Sequence, residues 1–180
     1  MDKIKNINLE ETFKLAVKNH QEGKIDVAQE LYNQVLKIDP NFIEANNNLG
    51  AIFKLSGEYQ KAKSCYEKAI ELNPNFIEAH NNLGNTFTKL EEYQKAKSCY
   101  KKAIELNPNF VEAHNGLGGV FQALGEYQKA KSCYEKAIEL NPNFIKAHNN
   151  LGNIFLELEE NQKAKECYEK AIEINPNYAK

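Results

Sequence analysis

A period of 34 residues runs through the chain and limits the folds open to it. The five prolines lie 34 residues apart from Pro40 to Pro176, and the four cysteines keep that spacing from Cys65 to Cys167. Periods of about 20–50 residues are typical of architectures that stack copies of one supersecondary unit. We therefore predict a lead-in at residues 1–8 and a single repeat domain at 9–180, with units at 9–42, 43–76, 77–110, 111–144 and 145–178.

Each unit is predicted to hold two amphipathic helices. In the first half of the second unit, Ala45, Leu49 and Phe53 recur at helical spacing, and in the second half Ala62 and Tyr66 do the same. Such spacing places apolar side chains on one face of a helix. The chain is therefore predicted to be all-helical.

Turn residues separate the predicted helices. Residues 56–58, with the sequence Ser-Gly-Glu, form a short turn within the unit, and the second helix ends before Pro74. Asn75 is predicted as the N-cap of the next helix, with Glu78 completing a capping box. The same pattern recurs at Asn41/Glu44 and Asn109/Glu112.

Gly50 and its equivalents fall on the buried side of the first helix. A residue without a side chain allows the paired helix to approach closely, and Ala62 is the predicted small partner. That contact has to outweigh the roughly 1 kcal/mol that glycine costs inside a helix.

The composition excludes several classes of function. All 23 basic residues are lysines, and they oppose 25 acidic residues to give a net charge of −2. Phosphate recognition relies on clustered cations and guanidinium groups, so we predict no nucleic-acid partner. No apolar stretch approaches the roughly 18 residues of a membrane helix, so we predict no membrane partner. The N-terminal residues lack the apolar core of a secretory signal peptide, which predicts a cytoplasmic protein.

The cysteine and histidine columns do not predict a reactive site. Equivalent positions on stacked units lie at least one helix-packing distance apart, roughly 8–10 Å, whereas a disulfide requires Cα atoms within ~7 Å. Zinc needs ligands around one point, and a column such as His80, His114 and His148 spreads them apart. No cysteine and histidine have a recognisable catalytic spacing. We therefore predict no catalytic residue, no metal, no cofactor and no enzymatic activity.

The residues of each unit resemble the tetratricopeptide repeat family. The resemblance rests on the period and on Leu49, Gly50, Phe53, Gly57, Tyr59, Ala62, Tyr66, Ala69 and Pro74 with their equivalents. It implies an all-α fold, a right-handed α-solenoid superhelix of five antiparallel helix pairs, with the first helices lining a concave groove. The first unit departs from the pattern at Ala16, Asn19 and Val35, as terminal units often do.

Asparagine dominates the face that the resemblance places in the groove. A carboxamide offers one acceptor and two donors, which match the C=O and N–H groups of a peptide backbone. The asparagines follow 34-residue spacing in three columns, which are Asn47, Asn81, Asn115 and Asn149, then Asn48, Asn82 and Asn150, then Asn85 and Asn153. The second column is similar to the asparagine ladder in the tetratricopeptide region of O-GlcNAc transferases, although Lys14 and Gly116 interrupt it.

These features predict a scaffold that binds a protein or peptide partner in extended form, alone or as the substrate-recruiting part of a larger protein. Three lysines complete the predicted groove site, namely Lys54, Lys89 and Lys146. Lys146 is notable because a cation at a helix N-terminus is unfavourable. The alternative explanation for the asparagine columns is a bias in composition, since the chain holds many asparagines outside the groove.

A second hypothesis concerns the last predicted helix. Its apolar side, with Tyr168, Ala171 and Ile172, is the side that a following helix pair would cover. Exposed apolar patches commonly become contacts. The alternative function is therefore a structural module that self-associates weakly by end-to-end stacking.

Overall fold

The computed structural model describes residues 9–176, which form ten α-helices and contain no strand. The helices are α1 (Leu9–Gln21), α2 (Ile25–Ile38), α3 (Ile43–Leu55), α4 (Tyr59–Leu72), α5 (Ile77–Lys89), α6 (Tyr93–Leu106), α7 (Val111–Ala123), α8 (Tyr127–Leu140), α9 (Ile145–Glu157) and α10 (Asn161–Ile174). The predicted lead-in and the last two positions of the predicted fifth unit, 177 and 178, lie outside the described residues.

The helices belong to two compact units that divide between Thr86 and Phe87, inside α5. In the first unit, α1 packs on α2, α2 on α3 and α3 on α4. In the second unit, each helix from α6 to α10 packs on the next one, and α7 also contacts α9. Because short turns join the two helices of a pair, paired helices run antiparallel. The predicted all-helical fold class, with consecutive helices packed in pairs, is confirmed.

The turn within each pair forms as predicted. Gly57 has a φ of +76°, and it follows the last turn of α3. The N–H of Glu58 donates to the carbonyl of Phe53 at 2.8 Å, and the N–H of Gly57 donates to that of Lys54 at 3.2 Å. This pair of bonds is a Schellman motif, which satisfies the last carbonyls of a helix. Glu91 occupies the equivalent position at a φ of +59°.

The turn between pairs differs from the prediction. The N-cap of α7 is Phe110, and it makes no side-chain capping bond. Instead, the side-chain oxygen of Asn107 accepts a hydrogen bond from the backbone N–H of Asn109 at 3.0 Å. Pro108 disfavours helical geometry at Asn107, which is extended and free to form this Asx turn. The capping boxes predicted at Asn41/Glu44, Asn75/Glu78 and Asn109/Glu112 are therefore wrong, because each helix starts two residues after the predicted cap.

A tyrosine, rather than the predicted Ala62, is the partner of the helical glycine. A Cβ atom added to Gly50 would lie 2.8 Å from the ring of Tyr66, which is fully buried. Gly152 stands in the same relation to Tyr168, at 2.7 Å. The absent side chain thus makes room for an aromatic ring, which buries far more apolar area than an alanine would.

Two adjacent glycines of α7 provide a matched test of this packing. A Cβ on Gly118 would lie 2.6 Å from the Tyr134 ring, whereas a Cβ on Gly119 would meet only the Tyr134 hydroxyl, at 3.8 Å. We expect Gly119→Ala to stabilise the protein by about 0.5–1 kcal/mol, because alanine is the better helix former. We expect Gly118→Ala to destabilise it by about 1–3 kcal/mol through overpacking. Urea unfolding followed by circular dichroism measures both, and equal effects would contradict the assigned packing.

Candidate functional site

In the first compact unit, asparagine amides form a side-chain network that joins the first helices of neighbouring repeats. The Asn82 Nδ2 on α5 donates to the Asn47 Oδ1 on α3 at 3.2 Å. The Asn47 Nδ2 in turn donates to the Asn48 Oδ1 at 3.4 Å. Asn48 also bonds the hydroxyl of Tyr32; burial raises the pKa of that hydroxyl, and the hydrogen bond opposes the rise. Much of this asparagine face therefore satisfies its own hydrogen-bonding groups.

The second unit repeats the amide pair. The Asn150 Nδ2 on α9 donates to the Asn115 Oδ1 on α7 at 3.0 Å. Where Asn47 has Asn48 as its neighbour, Asn115 has Gly116, which offers no side-chain acceptor. Asn115 and Asn150 are both half-buried.

The first asparagine column is less exposed than an open groove would make it. Asn47 is 9% exposed and Asn81 is 8% exposed, whereas Asn115 and Asn149 are half-buried. Two amide atoms of this column are buried without a hydrogen-bond partner in the structure, and they are the Asn81 Oδ1 and the Asn149 Nδ2. Asn47 and Asn81 are therefore the buried members of this column, and Asn115 and Asn149 are its more accessible members.

The remaining predicted groove residues are the more accessible ones. Asn153 is exposed and accepts a hydrogen bond from the Tyr168 hydroxyl at 2.6 Å, while Asn85 is half-buried. Lys54 is half-buried, and Lys89 and Lys146 are exposed. The apolar Leu55 is 67% exposed at the end of α3. Each unit thus offers amide groups beside charged and apolar side chains.

The histidine column is part of the turns between pairs. The Nε2 of His80, His114 and His148 lies 2.8–2.9 Å from the carbonyl oxygen of the proline six residues earlier. A carbonyl only accepts, so this nitrogen carries the proton and donates. In the second repeat Asn46 replaces the histidine, and its Nδ2 donates to Pro40 at 3.1 Å. These imidazoles therefore bind the backbone of the turn that precedes their own helix.

One cysteine and one histidine line the same cavity without forming a catalytic pair. A cavity of about 330 Å³ in the second unit is lined by Ile138, His148, Leu151, Phe155, Lys163, Glu166, Cys167 and Lys170. Burial raises the pKa of the Cys167 thiol, which is the opposite of nucleophile activation. The His148 Nε2 is already bound to a backbone carbonyl. Across residues 9–176 there is no cluster of three side chains that could hold a metal ion.

The buried thiols predict a measurable order of reactivity. Burial raises the pKa of Cys65 and of Cys133 to about 11. At pH 8 their thiolate fraction, and hence their rate with iodoacetamide, should lie about two orders of magnitude below that of an ordinary cysteine, and it should rise about tenfold per pH unit up to about pH 10. Cys167 should react first, because it lines an open cavity. Peptide mass spectrometry over a time course measures each rate, with the urea-unfolded chain as the control. Equal rates for Cys65 in the folded and unfolded chains would contradict its burial.

The amide-to-amide bonds between helices were not predicted from the sequence. Both bonds join residues 35 positions apart, from Asn47 to Asn82 and from Asn115 to Asn150. The sequence signal for these bonds is a pair of asparagines 35 residues apart, which is one residue more than the repeat period. A column at the period itself says only that side chains are equivalent, not that they touch.

Comparison with known families agrees with the helix pairs, the glycine contacts and the turns. The model of the tetratricopeptide repeat matches residues 43–76, 77–110, 111–144 and 145–178. A second model, described as a TPR repeat, matches residues 19–57. The chain belongs to the tetratricopeptide repeat family. Repeats of this family are generally non-catalytic modules for protein interaction.

Solved structures of tetratricopeptide repeat proteins resemble the chain over most of its length. The protein in a crystal structure of MamA is 31% identical in sequence to this chain. The match covers 91% of this chain and 96% of the MamA chain, with a TM-score of 0.77. YrrB, described as a TPR protein with an unusual peptide-binding site, is 26% identical, with coverage of 93% and 87% and a TM-score of 0.70. TTC0263, a TPR protein from Thermus thermophilus, shares the fold at 22% identity, with coverage of 95% and 93% and a TM-score of 0.82.

None of the curated proteins compared with the chain is a match. None of the helices in the described range 9–176 is long and apolar enough to cross a membrane.

Proposed function

We propose that the protein is a non-catalytic scaffold that binds an extended segment of a partner protein on the asparagine faces of its first helices. The observation that carries the proposal is the clustering of half-buried amides on these helices, such as Asn48 with Asn82 in the first unit and Asn115 with Asn150 in the second. A cytoplasmic location stays a prediction from the sequence.

Amide chemistry supports a backbone ligand. Each carboxamide supplies an acceptor and two donors, and the internal pairs use only part of that capacity. Neutral amides attract neither acidic nor basic side chains strongly. A face built from them therefore favours the peptide backbone over a particular charged sequence.

Residues beside the amides differ from repeat to repeat and supply selectivity. The position three residues after the second column holds Ala51, Asn85, Gly119 or Asn153, and the end of the first helix carries Leu55, Lys89, Ala123 or Glu157. Side chains of a bound segment would meet an apolar, basic, small or acidic neighbour according to the repeat. The likeness to YrrB adds support, since that relative is described as having a peptide-binding site.

Selection from a display library of twelve-residue peptides, followed by fluorescence anisotropy, tests the proposal. The double variant Asn82→Leu with Asn150→Leu should weaken binding of an enriched peptide by about 1–3 kcal/mol, at about 0.5–1.5 kcal/mol for each lost hydrogen bond. Its melting midpoint is measured in parallel, because Asn47 and Asn115 lose their partners.

The matched control replaces two exposed amides of second helices, Gln94→Leu with Gln128→Leu. This variant should bind the peptide as the wild type does. Enrichment of no peptide, or equal weakening by both double variants, would reject binding on the asparagine faces.

Self-association is the second candidate, and exposed apolar side chains in the outer helices favour it. Leu15 on α1 is 49% exposed, whereas its equivalent Leu49 on α3 is 5% exposed. On α10, Ile172 is 45% exposed and Tyr168 is only half-buried, whereas the equivalent Tyr134 is fully buried. The predicted exposure of Ala171 is wrong, because it is 1% exposed. In this alternative, α10 of one copy stacks against α1 of another, a contact that need not close on itself.

Light-scattering mass over a hundredfold concentration range tests this second candidate. If copies stack through α10, the mass should rise above 20.6 kDa with concentration, and Ile172→Asp should abolish the rise because it places a charge in an apolar contact. Asn161→Asp is the control, since it adds the same charge to the same helix at an exposed position. A constant mass near 20.6 kDa would exclude self-association.

A further inference from the structure

The second helices α6 and α8 flank a groove whose floor is the first helix between them, α7. The Nζ of Lys97 on α6 lies 5.0 Å from the centre of the Phe121 ring on α7, and the Nζ of Lys129 on α8 lies 5.6 Å from it. Such contacts hold a lysine ammonium against the face of an aromatic ring. Lys97 and Lys129 therefore belong to the two walls of this α6–α8 groove.

An equivalent α8–α10 groove lies in the next repeat. The Nζ atoms of Lys131 on α8 and Lys163 on α10 lie 5.1 and 5.5 Å from the centre of the Phe155 ring on α9. The cavity of about 330 Å³ lies in this groove, and Cys167 of α10 is among its lining residues. Burial raises the pKa of the Cys167 thiol, and nearby negative charges that include Glu135 raise it further. Glu135 on α8 therefore faces the α8–α10 groove.

The position of Glu135 is the one at which the second helices of the middle repeats differ. Lys101 on α6 is the equivalent residue, so a lysine faces the α6–α8 groove where a glutamate faces the α8–α10 groove. Residues 93–110 differ from 59–76 and from 127–144 only at Lys101. The charge of the groove thus changes while the packing residues stay the same.

Lys101 also replaces an ion pair by a repulsion. On α8, Lys131 and Glu135 lie 4.0 Å apart, whereas α6 carries Lys97 and Lys101 at the same spacing. Like charges four residues apart destabilise a helix. Lys101 is exposed and forms no ion pair within the described part of the chain. Glu105, four residues further along α6, is bound at 2.7 Å by a different lysine. The helix itself therefore gives no reason for a lysine at this position.

A second difference between the grooves has the same sign. Glu166 lines the cavity of the α8–α10 groove, and Ser132 is its equivalent in the α6–α8 groove. The other residues that line the cavity are of the same type at both places. A lysine in place of a glutamate adds two positive charges, and a serine in place of a glutamate adds one. At these positions the α6–α8 groove is therefore three unit charges more positive than its neighbour.

We propose that the α6–α8 groove binds an acidic segment of a partner protein. Carboxylates of the segment would pair with the ammonium groups of the groove, which are those of Lys97, Lys101, Lys129 and Lys136. A nucleic acid fits this surface less well, because its phosphates continue beyond the groove and the chain as a whole has a net charge of −2. The groove lies on second helices, so this site is separate from the asparagine faces of the first helices.

Fluorescence anisotropy with a fluorescein-labelled (Glu-Ala)6 peptide at about 50 mM NaCl tests the proposal, with (Gln-Ala)6 as the uncharged peptide. The glutamine peptide should bind the wild type about fivefold or more weakly than the glutamate peptide, and added salt should weaken the glutamate peptide further. Lys101→Glu restores the residue type of the other repeats. It should weaken binding of the glutamate peptide about three- to tenfold, because one attraction becomes a repulsion.

Lys165→Glu is the matched control. It makes the same change at an exposed position of α10 that lies outside the α6–α8 groove, and it should leave binding within about twofold of the wild type. Urea unfolding is measured for both variants. The midpoint of Lys101→Glu should equal or exceed that of the wild type, because the change places opposite charges at the spacing that stabilises a helix.

Four results would overturn the proposal. The glutamate peptide would fail to bind the wild type at about 1 mM protein, or Lys101→Glu and Lys165→Glu would weaken it equally, which is an effect of net charge alone. A urea midpoint that falls in Lys101→Glu would make the lysine structural. Binding of an oligothymidylate of the same length, without binding of the glutamate peptide, would make the groove a nucleic-acid site. None of these results bears on the asparagine faces, whose test uses other peptides and other variants.

Discussion

The contact of a tyrosine ring with a helical glycine sets the distance between paired helices, and the rest of the structure depends on that distance. At Gly50 the ring of Tyr66 fills the space where a Cβ would lie, and at Gly118 the ring of Tyr134 does so. Both rings are fully buried, so the contact combines close helix approach with the burial of a large apolar surface. A larger residue at the glycine would push the paired helix away.

The same tyrosines connect the core with the face that carries the amides. The hydroxyl of Tyr134 donates to the side chain of Gln122, and that of Tyr168 donates to Asn153. Tyr66 has Lys54 at the position where Tyr134 has Gln122, and its hydroxyl is buried without a partner. A lysine ammonium donates but does not accept, so it cannot serve that hydroxyl as an acceptor. The acceptor therefore comes from different positions of the first helix, Gln122 for Tyr134 and Asn153 for Tyr168.

Local features of the fold were predictable, whereas contacts across helices were not. The turn at Gly57 follows from a residue that tolerates positive φ, and the helices follow from apolar spacing. The prediction of Asn109 as a helix cap was wrong because its backbone N–H is bound by the side chain of Asn107, the residue just before the proline, in an Asx turn. The sequence predicted that the asparagines share one face of the first helices. It did not predict the burial of Asn47, which depends on the neighbouring helix and on the bond from Asn82. A period gives equivalence among repeats, and only packing decides which equivalent residues meet.

The first and second helices of each repeat have different roles, and this difference is reflected in where the repeats differ in sequence. Residues 59–76 and 127–144 are identical, and they include the tyrosine and the two alanines that are buried in these pairs. The open face of the first helix is not constrained by this packing. Thr88 and Gln122 occupy one repeat position there, and each bonds the hydroxyl of its own paired tyrosine. Substitution on the first helix can therefore change what the surface offers to a partner while the ring beneath it stays in place. In repeat proteins, where stability is approximately a sum of contacts between neighbouring repeats, this arrangement lets the exposed surface of the first helices vary one repeat at a time.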